Sequence, residues 1–376
     1  MIPFNKPYLH GRELVYIANS VASGKISGDG VFTKKVHDFF EKKYQVKKAL
    51  LTTSCTDALE MAAILLDIGP GDEVIMPAYT FVSTANAFVL RGAKIVFVDS
   101  LCDNPNIDHN KIEELITEKT KAIVVVHYAG VSCDMDSILK LSIEYNIPIV
   151  EDAAQAIESS YKGRQLGTIG ALGAFSFHET KNLISGEGGL LLINDERYAH
   201  RAEVIREKGT NRSSFFRGEV DKYGWVDMGS SFLPSDIIAA YLYAQLEIID
   251  NIQARRLEIW HRYWNKLASE LPRRGVHIPV IPKYATNNAH MFYLVFGDLA
   301  LRTKFIEYMK VKKIHSVFHY LSLHSSPFYE DRHDGRSLPQ CDRYADGLVR
   351  MPLFYELTNE QVDYICDEIL NFMKAV

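Results

Sequence analysis

The chain has 376 residues, beyond the size at which a single hydrophobic core stops growing, so two domains are expected. Hydrophobic residues make up 47% and charged residues 24%, the balance of a soluble globular protein, and a net charge of −5 without a basic run excludes a nucleic-acid footprint. The five cysteines form no CxxC pair, the start MIPFNKPYLHGRE lacks a signal-peptide core, and no apolar stretch is of membrane-spanning length, so the expectation is a cytoplasmic protein with no membrane insertion, disulfide framework or metal.

In chain order, VYIANSVASG (15–24) has helical spacing and stops at Gly24, and FTKKVHDFFEKKYQ (32–45) puts Val36, Phe39, Phe40 and Tyr44 on one face. KKALLTTS (47–54) reads as a short strand with a polar end, and TDALEMAAILLDIG (56–69) as a helix stopped by Gly69. EVIMPA (73–78), AKIVFVD (93–99), KAIVVVHY (121–128) and IPIVED (147–152) are apolar runs of strand length. Helical stretches at FVSTANAFVLRG (81–92) and SILKLSIEYN (137–146) connect them. FSF (175–177) and GLLLIND (189–195) read as two more strands.

Such alternation, with strands apolar nearly throughout, predicts an α/β fold with a parallel-rich sheet between helices. Ligands of such sheets sit at the carboxyl ends of the strands, where Ser54, Tyr79, His127, Asp152 and Ser176 fall. After Pro234, residues 235–271 read as one long helical stretch, straight or kinked. MFYLVF, FIEYMKVKKI and QVDYICDEILNFMK then suggest a smaller α+β domain. The expected division is a large domain over 1–245, its first 12 residues an arm, and a small domain over 246–376.

Several residues near strand ends each allow a structural or a chemical reading. Lys181 follows FSF and precedes the glycine-rich SGEGG; it is either a solvated loop cation or a reactive amine, and the glycines would give its backbone room to move. Asp152 either caps a helix at AAQAIESS or faces a ligand cation. Ser54, Cys55 and Thr56 open a helix, where hydroxyls and free amides cap it or bind an anion. Tyr79 and Phe81 pack a core or stack on a flat ring. Taken together they ask for one ligand with a phosphate, a flat ring, a basic ring nitrogen and an aldehyde. Pyridoxal phosphate has all four, and its chemistry needs a lysine and an acidic partner for the ring nitrogen.

EDAAQA, Lys181 in SFHETKNL, the GEGG after it, VHYAG (126–130), DMD (134–136) and the opening NKPYL resemble, in this order, the DegT/DnrJ/EryC1/StrS sugar aminotransferases. The resemblance runs almost end to end. It implies a fold type I pyridoxal-phosphate enzyme acting as a homodimer with shared active sites. Lys181 would hold the cofactor and carry out catalysis, Asp152 would pair with the ring nitrogen, and Gln155 would lie against the ring. Ser176 and the Cys55–Thr56 amides would take the phosphate, and Phe81 would stack. The family's G-x-N-x-R from the neighbouring subunit is replaced by GSSFL, with Ser231 at the Asn position, which loosens that phosphate contact. FHYLSLHSSPFY (318–329) resembles a sugar-side segment, offering His319, Tyr320 and His324 to the substrate or to packing. The substrates implied are L-glutamate and a nucleotide-linked 4-keto-6-deoxyhexose. FHETKNLISGEGG resembles most the members that aminate dTDP-4-keto-6-deoxyglucose for enterobacterial common antigen. Amination of a 3-keto sugar is the alternative within the family. A sugar dehydratase would carry His in place of Lys181, a fold-keeping regulator would carry an added module, and a nicotinamide enzyme would carry G-x-G-x-x-G after a strand.

Overall fold

The computed structural model describes residues 1–375. The chain begins with an arm and two helices, α1 (Arg12–Ala22) and α2 (Val31–Tyr44), followed by β1 (Lys48–Thr52) and α3 (Cys55–Leu65). Then come β2 (Glu73–Pro77), α4 (Val82–Val89), β3 (Lys94–Val98), β4 (Thr120–Val126), α5 (Met135–Tyr145) and β5 (Ile149–Asp152). A hairpin, β6 (Ser160–Tyr161) and β7 (Arg164–Gln165), precedes β8 (Leu172–Ser176) and β9 (Gly189–Ile193). Helices α6 (Ala199–Arg206), α7 (Arg212–Phe216), α8 (Asp236–Leu246) and α9 (Ile249–Leu267) follow. The last part holds β10 (Phe292–Val295), α10 (Leu299–Val311), β11 (Val317–Phe318), α11 (Pro339–Gly347), β12 (Leu348–Met351) and α12 (Asn359–Ala375).

The large sheet has seven strands in the order β1-β9-β8-β5-β4-β2-β3. Only β9 runs against its neighbours; the rest are parallel, as the apolar strands predicted. Alternate side chains feed two cores. Leu50, Val74, Met76 and Val124 face α3, α4 and α6, while Leu51, Ile75 and Val125 face α2, α5 and α8. A second sheet, β10-β12-β11, packs with α9, α10 and α12 around Tyr263, Phe292, Phe305 and Ile369.

One sequence expectation is sharpened and one is corrected. The stretch 235–271 carries the kink the sequence allowed as a full break, and so is two helices: Ile248 leaves helical geometry (φ −119°, ψ 19°), and Glu247 is held from the side by Tyr16 Oη at 2.8 Å and Arg12 at 3.2 Å. No helix follows Asp152 in AAQAIESS. The carbonyls of Gln155 and Ile157, which a helix would use internally, accept 2.8 Å hydrogen bonds from Asn288 Nδ2, and Glu158 turns the chain with φ +61°. Asp152 therefore has no helix to cap.

Candidate active site

At the carboxyl ends of β1, β2, β5 and β8, a cavity of about 730 Å³ opens between the large sheet and the three-stranded sheet. It is lined by Ser54, Cys55, Thr56, Phe81, Asp152, Gln155, Ser176, Lys181, His319 and Tyr320, all expected from sequence, and by Phe4, Ser83, His290 and Arg350.

The floor begins at α3. Ser54 caps that helix, its Oγ accepting from the Asp57 N–H at 3.1 Å, and Thr56 Oγ1 lies 2.8 Å from Ser83 Oγ. The residue that permits this close packing is Gly189, at the start of β9. A Cβ there would lie 2.2 Å from Ser54 C and 2.4 Å from Cys55 N, atoms of backbone that cannot give way. The last two glycines of the GEGG stretch thus belong to packing rather than to freedom of the lysine. The Lys181 N–H donates to His178 O at 2.9 Å, and the side chain of the next residue, Asn182, donates from Nδ2 to Gln253 Oε1 and Asn288 O at 2.9 and 2.8 Å.

Lys181 is half-buried. Burial pulls its ammonium below the ordinary lysine value; Cys55 and Asp152 oppose this and Arg350 adds to it. Asp152, the last residue of β5, is 6% exposed. Its Oδ2 accepts a hydrogen bond from Thr84 Oγ1 at 2.7 Å and its Oδ1 one from the Ala154 N–H at 3.1 Å, which aims the carboxylate across the cavity floor. The neighbouring Glu151 points to the opposite sheet face, as strand alternation requires. There it accepts from the N–H groups of Gly167, Ile169 and Gly170 at 2.8, 2.6 and 2.6 Å and pairs with His127 Nε2 at 2.8 Å. His127, at a strand end in the sequence, therefore braces β5 from beneath and lies outside the cavity.

Gln155 is held by both ends. Its Oε1 accepts from the Ala129 N–H at 2.7 Å and its Nε2 donates to Tyr320 Oη at 2.9 Å. Tyr320 stacks on His319, with ring centroids 3.5 Å apart, and its ring is 5.9 Å from that of Phe81. His319 Nδ1 pairs with Tyr128 Oη at 2.6 Å, and burial keeps His319 neutral. Tyr79 is core, 1% exposed, whereas Phe81 is 53% exposed at the mouth. His324 lies away from the cavity, 3.6 Å from Asp342 and ring-to-ring with His333. Ser231 is exposed on the loop before α8, paired by its backbone with Glu207, and does not line this chain's cavity. Phe4, Ser83, Thr84, His290 and Arg350 were not expected from the sequence; the one signal for Arg350 was a charge inside the apolar run LVRMPLF.

Residues 7–370 match the model of the DegT/DnrJ/EryC1/StrS aminotransferase family. The chain belongs to that family. The spore coat polysaccharide biosynthesis protein SpsC of Bacillus subtilis is 31% identical, over 100% of this chain and 97% of that protein. Among solved structures, the aminotransferase TlmJ of Streptoalloteichus hindustanus superposes with a TM-score of 0.91 at 30% identity, covering 100% of this chain and 99% of TlmJ. The PLP form of the putative sugar aminotransferase Spr1654 of Streptococcus pneumoniae gives 0.90 at 27%, with 100% and 99% covered. This family member is a pyridoxal-phosphate-dependent sugar aminotransferase with the α/β fold of its relatives. Its residues fit that cofactor: a helix start at Cys55–Thr56 against which Gly189 packs, a fixed carboxylate at Asp152 and a lysine of lowered basicity share one cavity. Among the described residues no helix is long and apolar enough to cross a membrane, and no cluster of His, Cys, Asp and Glu forms a metal site.

Proposed function

We propose that this aminotransferase moves the amino group of L-glutamate to C4 of a nucleotide-linked 4-keto-6-deoxyhexose. The specific reaction we infer is dTDP-4-keto-6-deoxyglucose to dTDP-4-amino-4,6-dideoxygalactose, a step toward a cell-surface polysaccharide. The carrying observation is that Lys181, Asp152 and the α3 start line one cavity large enough for a sugar. The wording FHETKNLISGEGG supports the C4 keto-sugar as acceptor.

Bound pyridoxal phosphate supplies an aldehyde for an amine and a ring that accepts the charge left when a proton departs. Lys181 holds the cofactor at rest; once released, its amine takes the proton from the α-carbon of glutamate and later returns one to C4 of the sugar. Its burial favours the neutral amine this needs. Asp152, held by Thr84 and Ala154, keeps positive charge on the ring nitrogen. The N–H groups opening α3, together with Thr56 and Ser176, hold the phosphate. Gln155 would lie against the ring, and His319 and Tyr320 would meet the hexose.

The protein acts as a homodimer in this proposal, and Ser231 approaches the partner subunit's cofactor. The exposed Phe216, Tyr223, Trp225 and Met228 near that loop supply apolar surface of the kind that subunit interfaces bury. The decisive experiment incubates the purified protein with glutamate and a panel of nucleotide-linked 3-keto and 4-keto sugars, with product position and stereochemistry read by NMR. Amination only of a 3-keto sugar overturns the C4 assignment.

A further inference from the structure

A second cavity, of about 660 Å³, lies along β1, the end strand of the large sheet, and shares no lining residue with the cavity that holds Lys181. The free edge of β1 is closed by side chains rather than by another strand. Ala49 N–H donates to Glu41 Oε1 at 3.1 Å, Leu51 N–H donates to His37 Nε2 at 2.9 Å, and Arg206 Nε donates to Leu51 O at 2.8 Å. Arg206, the last residue of α6, is 3% exposed and lines the cavity. Its Nη1 donates to Asp29 Oδ1 at 2.9 Å, so two arms of the guanidinium are fixed and its plane is set. The third arm, Nη2, is buried without a hydrogen-bond partner. Burial first, and then the charge of Arg206, push the neighbouring His37 imidazole down to about 3, so His37 stays a neutral acceptor.

The charge around that orphaned amino group is lopsided. Seven lysines and arginines against five carboxylates line the cavity, in a chain whose net charge is −5. The best-placed carboxylates are already engaged: Asp29 holds Arg206, and Glu203 holds Lys48 and Arg217. Lys25, Lys34, Lys208 and Arg212 have no carboxylate partner among the described residues. Lys25 donates to the Asp29 carbonyl at 2.9 Å, and Arg212 lies over the Phe216 ring at 5.1 Å. These cations come from separate stretches: the loop before α2, α2 itself and the segment after α6. Gathering them around a buried, unmade donor costs repulsion and desolvation unless an anion joins them.

We propose that this cavity binds the phosphate group of a small molecule, seated on Arg206 Nη2 and held by Lys34, Lys208 and Arg212. A phosphate brings three oxygens and close to two charges, which suits donors arriving from several directions. A carboxylate brings two oxygens and one charge, too little for four unpaired cations. The volume is that of sites that enclose a whole small molecule, and Phe216 and Leu233 on the wall offer apolar surface to the body that carries the phosphate.

The test titrates the pyridoxal-phosphate-loaded enzyme, whose cofactor cradle is filled, with inorganic phosphate and with AMP, by calorimetry and by melting curves. The wild type should bind phosphate saturably, and its melting midpoint should rise with ligand. The double variant Lys34→Gln with Lys208→Gln changes two exposed side chains, so it should fold, keep its cofactor absorbance and keep kcat. It should bind phosphate at least about tenfold more weakly and lose most of the midpoint rise. Arg206→Lys, which keeps the charge and loses the free Nη2, should weaken phosphate to a similar degree. AMP bound at least about tenfold more tightly than phosphate identifies a phosphorylated metabolite as the occupant, and equal affinity identifies free phosphate. No saturable binding below about 10 mM, or binding that the double variant retains in full, means an adventitious ion only and overturns the site.

Discussion

Replacing Asp152 by Asn keeps the side chain's shape and removes its charge. In the fold, Oδ2 accepts from Thr84 Oγ1 at 2.7 Å and Oδ1 from the Ala154 N–H at 3.1 Å, and Thr84 Oγ1 also pairs with Thr80 Oγ1 at 2.9 Å. Asparagine can still accept from Ala154 and can turn its amide to donate to the Thr84 hydroxyl, which rotates. Removing the charge therefore disturbs about one hydrogen bond, about 1 kcal/mol, and a melting shift of no more than about 3 °C in a chain of this size. The loss at the ring nitrogen is larger. Truncating one side of a buried, hydrogen-bonded charge pair costs about 2–5 kcal/mol, which is a slowing of roughly 30- to 4,000-fold. The assay is single-turnover reaction with L-glutamate followed by cofactor absorbance, with melting curves beside it. A rate within about threefold of wild type at unchanged stability would refute the role, leaving Asp152 as a turn residue that holds Ala154.

Borohydride reduction of the holoenzyme should fix the cofactor on Lys181, and peptide mapping that finds it on another lysine removes the catalytic assignment. In the cofactor-free protein the lowered basicity of Lys181 means that the folded state binds fewer protons than the unfolded state below the ordinary value of 10.5. Stability should thus rise with pH across the window from the depressed value up to 10.5, and Lys181→Met should flatten that rise in denaturant melts at several pH values. Gly189→Ala drives a Cβ against the Ser54 carbonyl, so it should cost about 1–3 kcal/mol and weaken pyridoxal phosphate at least about tenfold in a fluorescence titration; intact binding means the α3 start does not hold the phosphate. Ser231→Ala should weaken cofactor retention by less than about tenfold and leave the dimer intact in sedimentation, while Thr56→Ala with Ser176→Ala should weaken it more. Loss of cofactor from Ser231→Ala alone would reverse the view that the contact across the dimer is loose.

The sequence by itself determined the sheet and one half of the cavity's polar lining. Strands covered on both faces must be apolar throughout, so β2 to β5 stand out, and a parallel sheet collects its polar residues at one edge. Ser54, Asp152, Ser176 and Lys181 all come from that edge, where strand ends are visible in a linear text. The other half was decided only by the tertiary structure. Arg350 and Phe4 reach the cavity from the middle strand of the three-stranded sheet and from the chain's first residues, and no local pattern ties residue 4 or 350 to residue 181. The AAQAIESS segment has helical composition, yet Asn288, 133 and 131 positions away from the carbonyls it binds, captures the groups a helix needs. His127 and Asp152 look equivalent as strand-end residues, but β5 turns Glu151 toward His127 and Asp152 toward the cavity, so one braces the strand and the other lines the cavity. Local propensity selects elements; which face a side chain presents, and which distant donor claims a carbonyl, is settled by packing.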